Sequence, residues 1–132
     1  MKQARALLAE AQRLQTLVND DGRLRTEFSR ESRIIADTFR DYEDHFRYQW
    51  HSDNGRGRLL YARYLSIAQD LRIATTILRG AVRYSNAGSI EVKRGEIRQS
   101  VRKLAGLIRD GISGETDGAD SVTDVDRALV IK

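Results

Sequence analysis

The chain contains no proline in 132 residues. Proline interrupts helices because it lacks a backbone N–H and its ring collides with the preceding turn, so a chain without it can be helical throughout. Apolar residues recur at intervals of three and four along most of the sequence, which is the pattern of amphipathic helices. There is also no cysteine, which excludes disulfide bonds, thiolate metal sites and cysteine nucleophiles. We therefore predict an all-α fold.

The apolar periodicity predicts four helices, over about residues 2–19, 23–51, 58–84 and 90–112. Polar and glycine-rich stretches at 19–22, 52–57 and 86–89 separate them, and Ser89 is the predicted N-cap of the fourth helix. The predicted core stripes begin with Leu7, Ala11, Leu14 and Val18 on the first helix. Two of the helices would each reach about 40 Å at 1.5 Å per residue, so we expect an elongated four-helix bundle.

The domain organisation follows from the same pattern. Residues 1–112 form the predicted bundle, and residues 113–132 form an acidic tail or a short docking helix, with a glycine-rich linker from Gly111 onward. The third helix is apolar nearly all round, so it should lie centrally or contact a second chain. Gly95 and Gly106 lie inside the fourth helix, where each costs about 1 kcal/mol relative to alanine. They indicate either a close helix approach or a locally weak helix.

The charge is unevenly distributed along the chain. Residues 45–109 carry 13 basic and 4 acidic residues, whereas residues 110–126 carry six acids and no base. Of the basic residues, 19 are arginine and 4 are lysine. Arginine makes bidentate contacts with phosphate better than lysine does, although a GC-rich genome would also enrich arginine. The sequence is thus a basic body followed by an acidic segment.

Two rows of arginine stand out on the last two predicted helices. On the fourth helix, the row falls within about 80° when residues are placed 100° apart, and on the third helix it falls within about 60°. Such rows on adjacent helices would form a basic stripe that follows a phosphate backbone. The alternatives are an acidic protein partner and an ordinary solvated surface. The predicted nucleic-acid-binding residues, including two from the preceding loop, are Arg56, Arg58, Arg72, Arg79, Arg83, Arg94, Arg98, Arg102 and Arg109.

Aromatic residues near these rows could stack on bases. Tyr84, beside Arg83 in a predicted turn, is the better candidate, whereas Trp50 closes a core stripe and is expected to be buried.

The segment from Arg40 to His45 resembles the Arg–polar–x3–His pattern of HEPN ribonucleases, in which arginine and histidine of two protomers cleave RNA without a metal. Its central residues are more acidic than that pattern usually has, and they would repel phosphate. The structural alternative is an i,i+4 ion pair between Glu43 and Arg47. With two histidines and no metal-ligand spacing, we predict no catalytic residue, no metal and no cofactor.

In size, helical fold and charge layout, the chain resembles the small subunit of multi-subunit CRISPR effector complexes. The resemblance implies a non-enzymatic protein that stacks in several copies along a backbone filament and holds nucleic acid on its basic side. On this reading the partners are nucleic-acid phosphates and other subunits of a ribonucleoprotein complex. No apolar run is long enough to span a membrane, so we expect a cytoplasmic protein. A structural helical protein of a phage particle or another large assembly is the first alternative, and a HEPN-type ribonuclease using Arg40 and His45 is the second.

Overall fold

A computed structural model of the chain describes residues 2–53, 55 and 57–116, with side chains as far as residue 110. Within these residues the protein is all-α, as predicted. None of the described helices is both long and apolar enough to cross a membrane. The described residues form five helices: α1 (Lys2–Asn19), α2 (Asp21–Thr26), α3 (Phe28–Ser52), α4 (Gly57–Arg83) and α5 (Ala87–Thr116).

The long helices pack in a ring in which α3 lies against α4, α4 against α5, α5 against α1, and α1 against α3. The Phe46 and Tyr64 rings are 5.2 Å apart, and Trp50 lies near Arg58, so α3 and α4 run antiparallel. Helix α4 also touches α1, so much of its apolar surface packs against other helices. Its Ile73 and Ile77 nevertheless remain exposed.

The helix predicted over 23–51 is broken into α2 and α3 at Glu27. Asp20 caps α2 by accepting a hydrogen bond from the Arg23 backbone N–H at 3.2 Å. The Thr26 hydroxyl donates to the Gly22 carbonyl at 2.8 Å, a contact that bends helices. Five helices therefore replace the predicted four, although the described part of the chain is still a helical bundle.

The core consists of the predicted apolar stripes. All four residues named for α1 are buried, and the largest buried side chains elsewhere include Phe28, Phe39, Phe46 and Tyr64. Burying these apolar surfaces is the main term that stabilises the fold. Trp50 is only half-buried, so the expectation of a buried tryptophan was wrong.

The turn between α4 and α5 is closed by backbone hydrogen bonds at both helix ends. Ser85 adopts a positive φ of 54°, while its N–H donates to the Val82 carbonyl and that of Asn86 donates to the Ala81 carbonyl. This is the Schellman arrangement, which satisfies the last carbonyls of a helix. The Asn86 side chain then accepts from the Ser89 N–H at 3.1 Å. Asn86, rather than the predicted Ser89, is therefore the N-cap of α5.

Helix α5 continues through the predicted linker start at Gly111 to Thr116. The predicted acidic tail or docking helix beyond it lies outside the described residues.

Glycine substitutions inside the helices should stabilise the protein. A Cβ atom added to Gly80 or Gly95 would meet no other atom within 4 Å, so neither glycine permits a close helix approach. Because glycine costs a helix interior about 0.5–1 kcal/mol relative to alanine, we expect Gly80→Ala and Gly95→Ala each to raise the free energy of unfolding by that amount. Urea denaturation monitored by circular dichroism measures the change. A destabilised Gly95→Ala variant would instead show that α5 needs a small residue there.

Candidate nucleic-acid interface

One charged pair links α3 to α4 inside the bundle. The Arg72 guanidinium binds the Glu43 carboxylate with both Nε and Nη2, and the Glu43 side chain is only 4% exposed. The hydrogen bond that Arg72 donates to Glu43 raises the pKa of Arg72, against the effect of burial. The sequence suggested an ion pair between Glu43 and Arg47, but Glu43 binds Arg72 instead. Arg47 binds Asp44 at 3.1 Å. The pair fixes which side of α4 faces α3.

The predicted arginine row of α4 lies on this side of the helix. At 100° per residue, Arg58, Arg79 and Arg83 lie within about 40° of Arg72. Arg58 and Arg83 are exposed, and Arg79 is half-buried. The row therefore follows the outer edge of the groove between α3 and α4.

Helix α3 contributes a second row to the same groove, and this row was not predicted from the sequence. Arg33, Arg40 and Arg47 are spaced by seven residues and lie within about 80° of Glu43 on the side toward α4. All three are exposed. The seven arginines of the two rows are called the α3/α4 arginine face: Arg33, Arg40, Arg47, Arg58, Arg72, Arg79 and Arg83.

Acidic residues only partly neutralise this face. Arg40 lies 3.9 Å from Asp37, and the Arg47–Asp44 pair is also exposed on both sides. Exposed pairs of this kind contribute little free energy and exchange readily with other partners. Glu43 lies beneath the surface and is bound by Arg72. The face therefore keeps an excess of positive charge toward solvent.

The α5 row divides into a structural part and an exposed part. The Arg94 side chain is 13% exposed; it donates to the Val18 carbonyl at 2.7 Å and binds Asp21 and Glu91. Burial opposes its charge, but the hydrogen bonds to Asp21 and Glu91 outweigh burial and raise its pKa. Arg94 thus ties α5 to the end of α1 and to α2 rather than presenting its charge to a ligand.

The remaining α5 residues, Arg98, Arg102 and Arg109, are exposed. Arg109 binds Asp110 at 3.1 Å, and this hydrogen bond lowers the pKa of Asp110. No ion pair holds Arg98 or Arg102 among the side chains described up to residue 110.

The two predicted rows do not merge into one stripe. Arg72 reaches toward α3, whereas Arg94 reaches toward α1 and α2. In the ring of helices, the side of α4 that faces α3 and the side of α5 that faces α1 are opposite flanks of the α4–α5 pair. The expectation of a stripe shared by α4 and α5 was therefore wrong, and the arginine-rich groove lies between α3 and α4. Arg56, also named from the sequence, lies outside the described residues.

Aromatic rings lie at both ends of the α3/α4 arginine face. The Arg58 guanidinium lies 5.2 Å from the centre of the Trp50 ring, and that of Arg83 lies 5.8 Å from the centre of the Tyr84 ring. A cation over an aromatic ring is attracted by the electron-rich face of the ring. These contacts place an exposed guanidinium beside a ring at each end of α4.

Arg40 and His45, the residues of the ribonuclease-like pattern, point in different directions. They lie about 140° apart around α3 at 100° per residue. The His45 ring packs edge-on against Phe46 at 5.1 Å and lines an open cavity of about 300 Å³ with residues such as Gln49 and Tyr61. Arg40 is not among the residues that line this cavity. Within one chain the two side chains therefore do not form a joint site, and the described residues contain no cluster of metal ligands.

Comparisons with protein family models, with curated proteins and with solved structures find no match to this chain.

Proposed function

We propose that this protein is a non-enzymatic nucleic-acid-binding subunit that holds the phosphate backbone on its α3/α4 arginine face. The observation that carries the proposal is the convergence of seven arginines from two helices on one groove, four of them on α4 and three on α3. Guanidinium groups bind phosphate oxygens bidentately. Because none of these contacts reads a base edge, binding would not depend on sequence.

The bundle is suited to hold such a face rigidly. The Arg72–Glu43 pair links the two helices below the groove, and the Phe46–Tyr64 contact packs them together near one end. A preorganised surface loses less side-chain freedom on binding, which favours affinity. We further propose that the protein acts in the cytoplasm within a larger ribonucleoprotein complex, in several stacked copies, as the resemblance to CRISPR effector small subunits implies.

The experiment is fluorescence anisotropy of the purified protein with labelled single-stranded RNA and DNA across a salt series. Each phosphate contact on a single strand lowers the slope of log affinity against log salt by about 0.7. Four contacts, one for each arginine of the face that no acid of the described residues holds, predict a slope of about −3. Oligonucleotides of different sequence should give the same line.

No binding at low salt would contradict the proposal. The arginine face would then be assigned to an acidic protein partner, such as a neighbouring subunit in a virion lattice. A slope near zero with measurable binding would equally overturn a phosphate-backbone site, because counterion release would be missing.

A further inference from the structure

The most exposed aromatic residue among the described residues stands at one end of the α3/α4 arginine face. The Tyr84 side chain is 78% exposed, and it follows directly after the last residue of α4. The backbone beneath it is held by the hydrogen bonds that close the α4–α5 turn. Arg83 covers part of its ring at 5.8 Å. The rest of the ring is open to solvent in a position fixed by the turn.

A second aromatic group stands at the other end of the face. Trp50 is half-buried and lies between Arg58, at 5.2 Å, and the His51 ring, at 4.7 Å. Trp50 lies about 20° from Glu43 around α3, on the side toward α4. Arg58 is exposed, so its guanidinium can turn from the ring to a phosphate.

The two groups are separated by the length of α4. From Arg58 to Arg83 the helix rises about 38 Å at 1.5 Å per residue, with the arginines of the face between them. Every base has a flat face that can stack on an aromatic ring, but a duplex covers these faces with neighbouring base pairs. A basic track with a ring at each end is therefore complementary to a single strand.

Resting on the proposed function, we infer that the ligand is single-stranded and that its bases stack on Tyr84 at one end of the face and on Trp50 at the other. The arginines between the rings bind the phosphates of the intervening nucleotides. This assigns Tyr84 and Trp50 as base-stacking residues and Arg58 and Arg83 as the residues that couple the rings to the phosphate track.

The test compares single-stranded and duplex DNA of the same sequence by anisotropy at fixed salt. Stacking of one base on an aromatic ring is worth enough that its loss weakens binding about tenfold. We expect Tyr84→Ala to weaken single-strand binding by about that factor and to leave duplex binding unchanged, while Tyr84→Phe keeps the ring and the affinity. Tyr48→Ala is the matched control, because Tyr48 is also exposed, at 67%, but no guanidinium of the described residues lies over its ring, as Arg83 lies over Tyr84.

Trp50 is the single tryptophan of the chain, so its fluorescence reports the other end directly. Addition of unlabelled single strand should quench it, and addition of duplex should not. Equal effects of Tyr84→Ala and Tyr48→Ala, or tighter binding of duplex, would overturn the inference while leaving phosphate binding intact. Absence of binding to either oligonucleotide would instead overturn the proposed function and the inference with it.

Discussion

Replacing Arg72 with methionine should destabilise the fold by about 3–5 kcal/mol. The Glu43 side chain is 4% exposed, and both nitrogens that Arg72 directs at it are lost in the variant. A buried carboxylate without its partner is costly because it has neither water nor a counter-charge to stabilise it. Urea denaturation followed by circular dichroism measures the loss. A destabilisation of this size would be a large fraction of the free energy of unfolding of a domain of 132 residues.

The double variant Glu43→Leu/Arg72→Met separates the cost of a broken pair from the value of the pair. Replacing both partners with apolar residues removes the unpaired charge, so we expect most of the lost stability to return. Arg47→Met is the control for an exposed ion pair, because the Asp44 partner of Arg47 is 67% exposed. This substitution should lower the free energy of unfolding by less than about 1 kcal/mol. An Arg72→Met variant as stable as Arg47→Met would show that water reaches Glu43 and that the pair does not anchor the groove.

Neutralising three arginines of the α3/α4 arginine face should weaken binding to single-stranded nucleic acid by about 1,000-fold or more. The variant is Arg33→Gln/Arg79→Gln/Arg83→Gln, and none of these three residues is held by an ion pair in the described structure. The antiparallel packing of α3 and α4 places Arg33 within about one turn of Arg79, so the three charges act on one stretch of backbone. Hydrogen bonds between charged groups contribute about 1.5 kcal/mol or more each. The salt slope should fall by about 2, which is three contacts of 0.7.

The matched control removes three exposed arginines from the opposite side of the bundle. Arg5→Gln/Arg98→Gln/Arg102→Gln changes the net charge by the same amount, and all three residues are exposed on α1 and α5. It should retain most of the affinity, because only long-range attraction is reduced. Equal losses in the two triple variants would assign binding to overall charge rather than to the groove. A larger loss in the control would move the site to α5.

Much of the fold could be predicted because helical periodicity is a local property. The α1 stripe from Leu7 to Val18 is buried as expected. The break at Glu27 was missed because the apolar spacing continues across it, from Leu24 to Phe28, and both residues are buried. The Asn86 cap was missed because a serine and an asparagine in one turn are equally good sequence candidates.

The candidate site could be predicted only in part, because the sequence shows the arginine row of each helix but not which rows face each other. Arginine rows on α4 and α5 are visible on each helix separately, and the seven-residue spacing of Arg33, Arg40 and Arg47 was a signal of the same kind. The row on α3 was passed over because Asp37, Asp41 and Asp44 make the segment look acidic. Placing residues around the helix puts the three arginines within about 40° of one another, so they form one row even though Asp37 and Asp44 lie beside it.

The sequence by itself determined that the chain is helical, which residues line the apolar side of each long helix and which residues can carry positive charge. These properties depend on neighbours three or four residues away, so they are present in the linear order. Only the tertiary structure decided that Arg72 and Arg94 are held by acids of other helices, 29 and 73 residues away along the chain. It also decided that the row on α4 meets the row on α3 rather than the row on α5. Those outcomes depend on which flank of each helix packs against which neighbour, and burial of the apolar stripes sets that arrangement for the bundle as a whole.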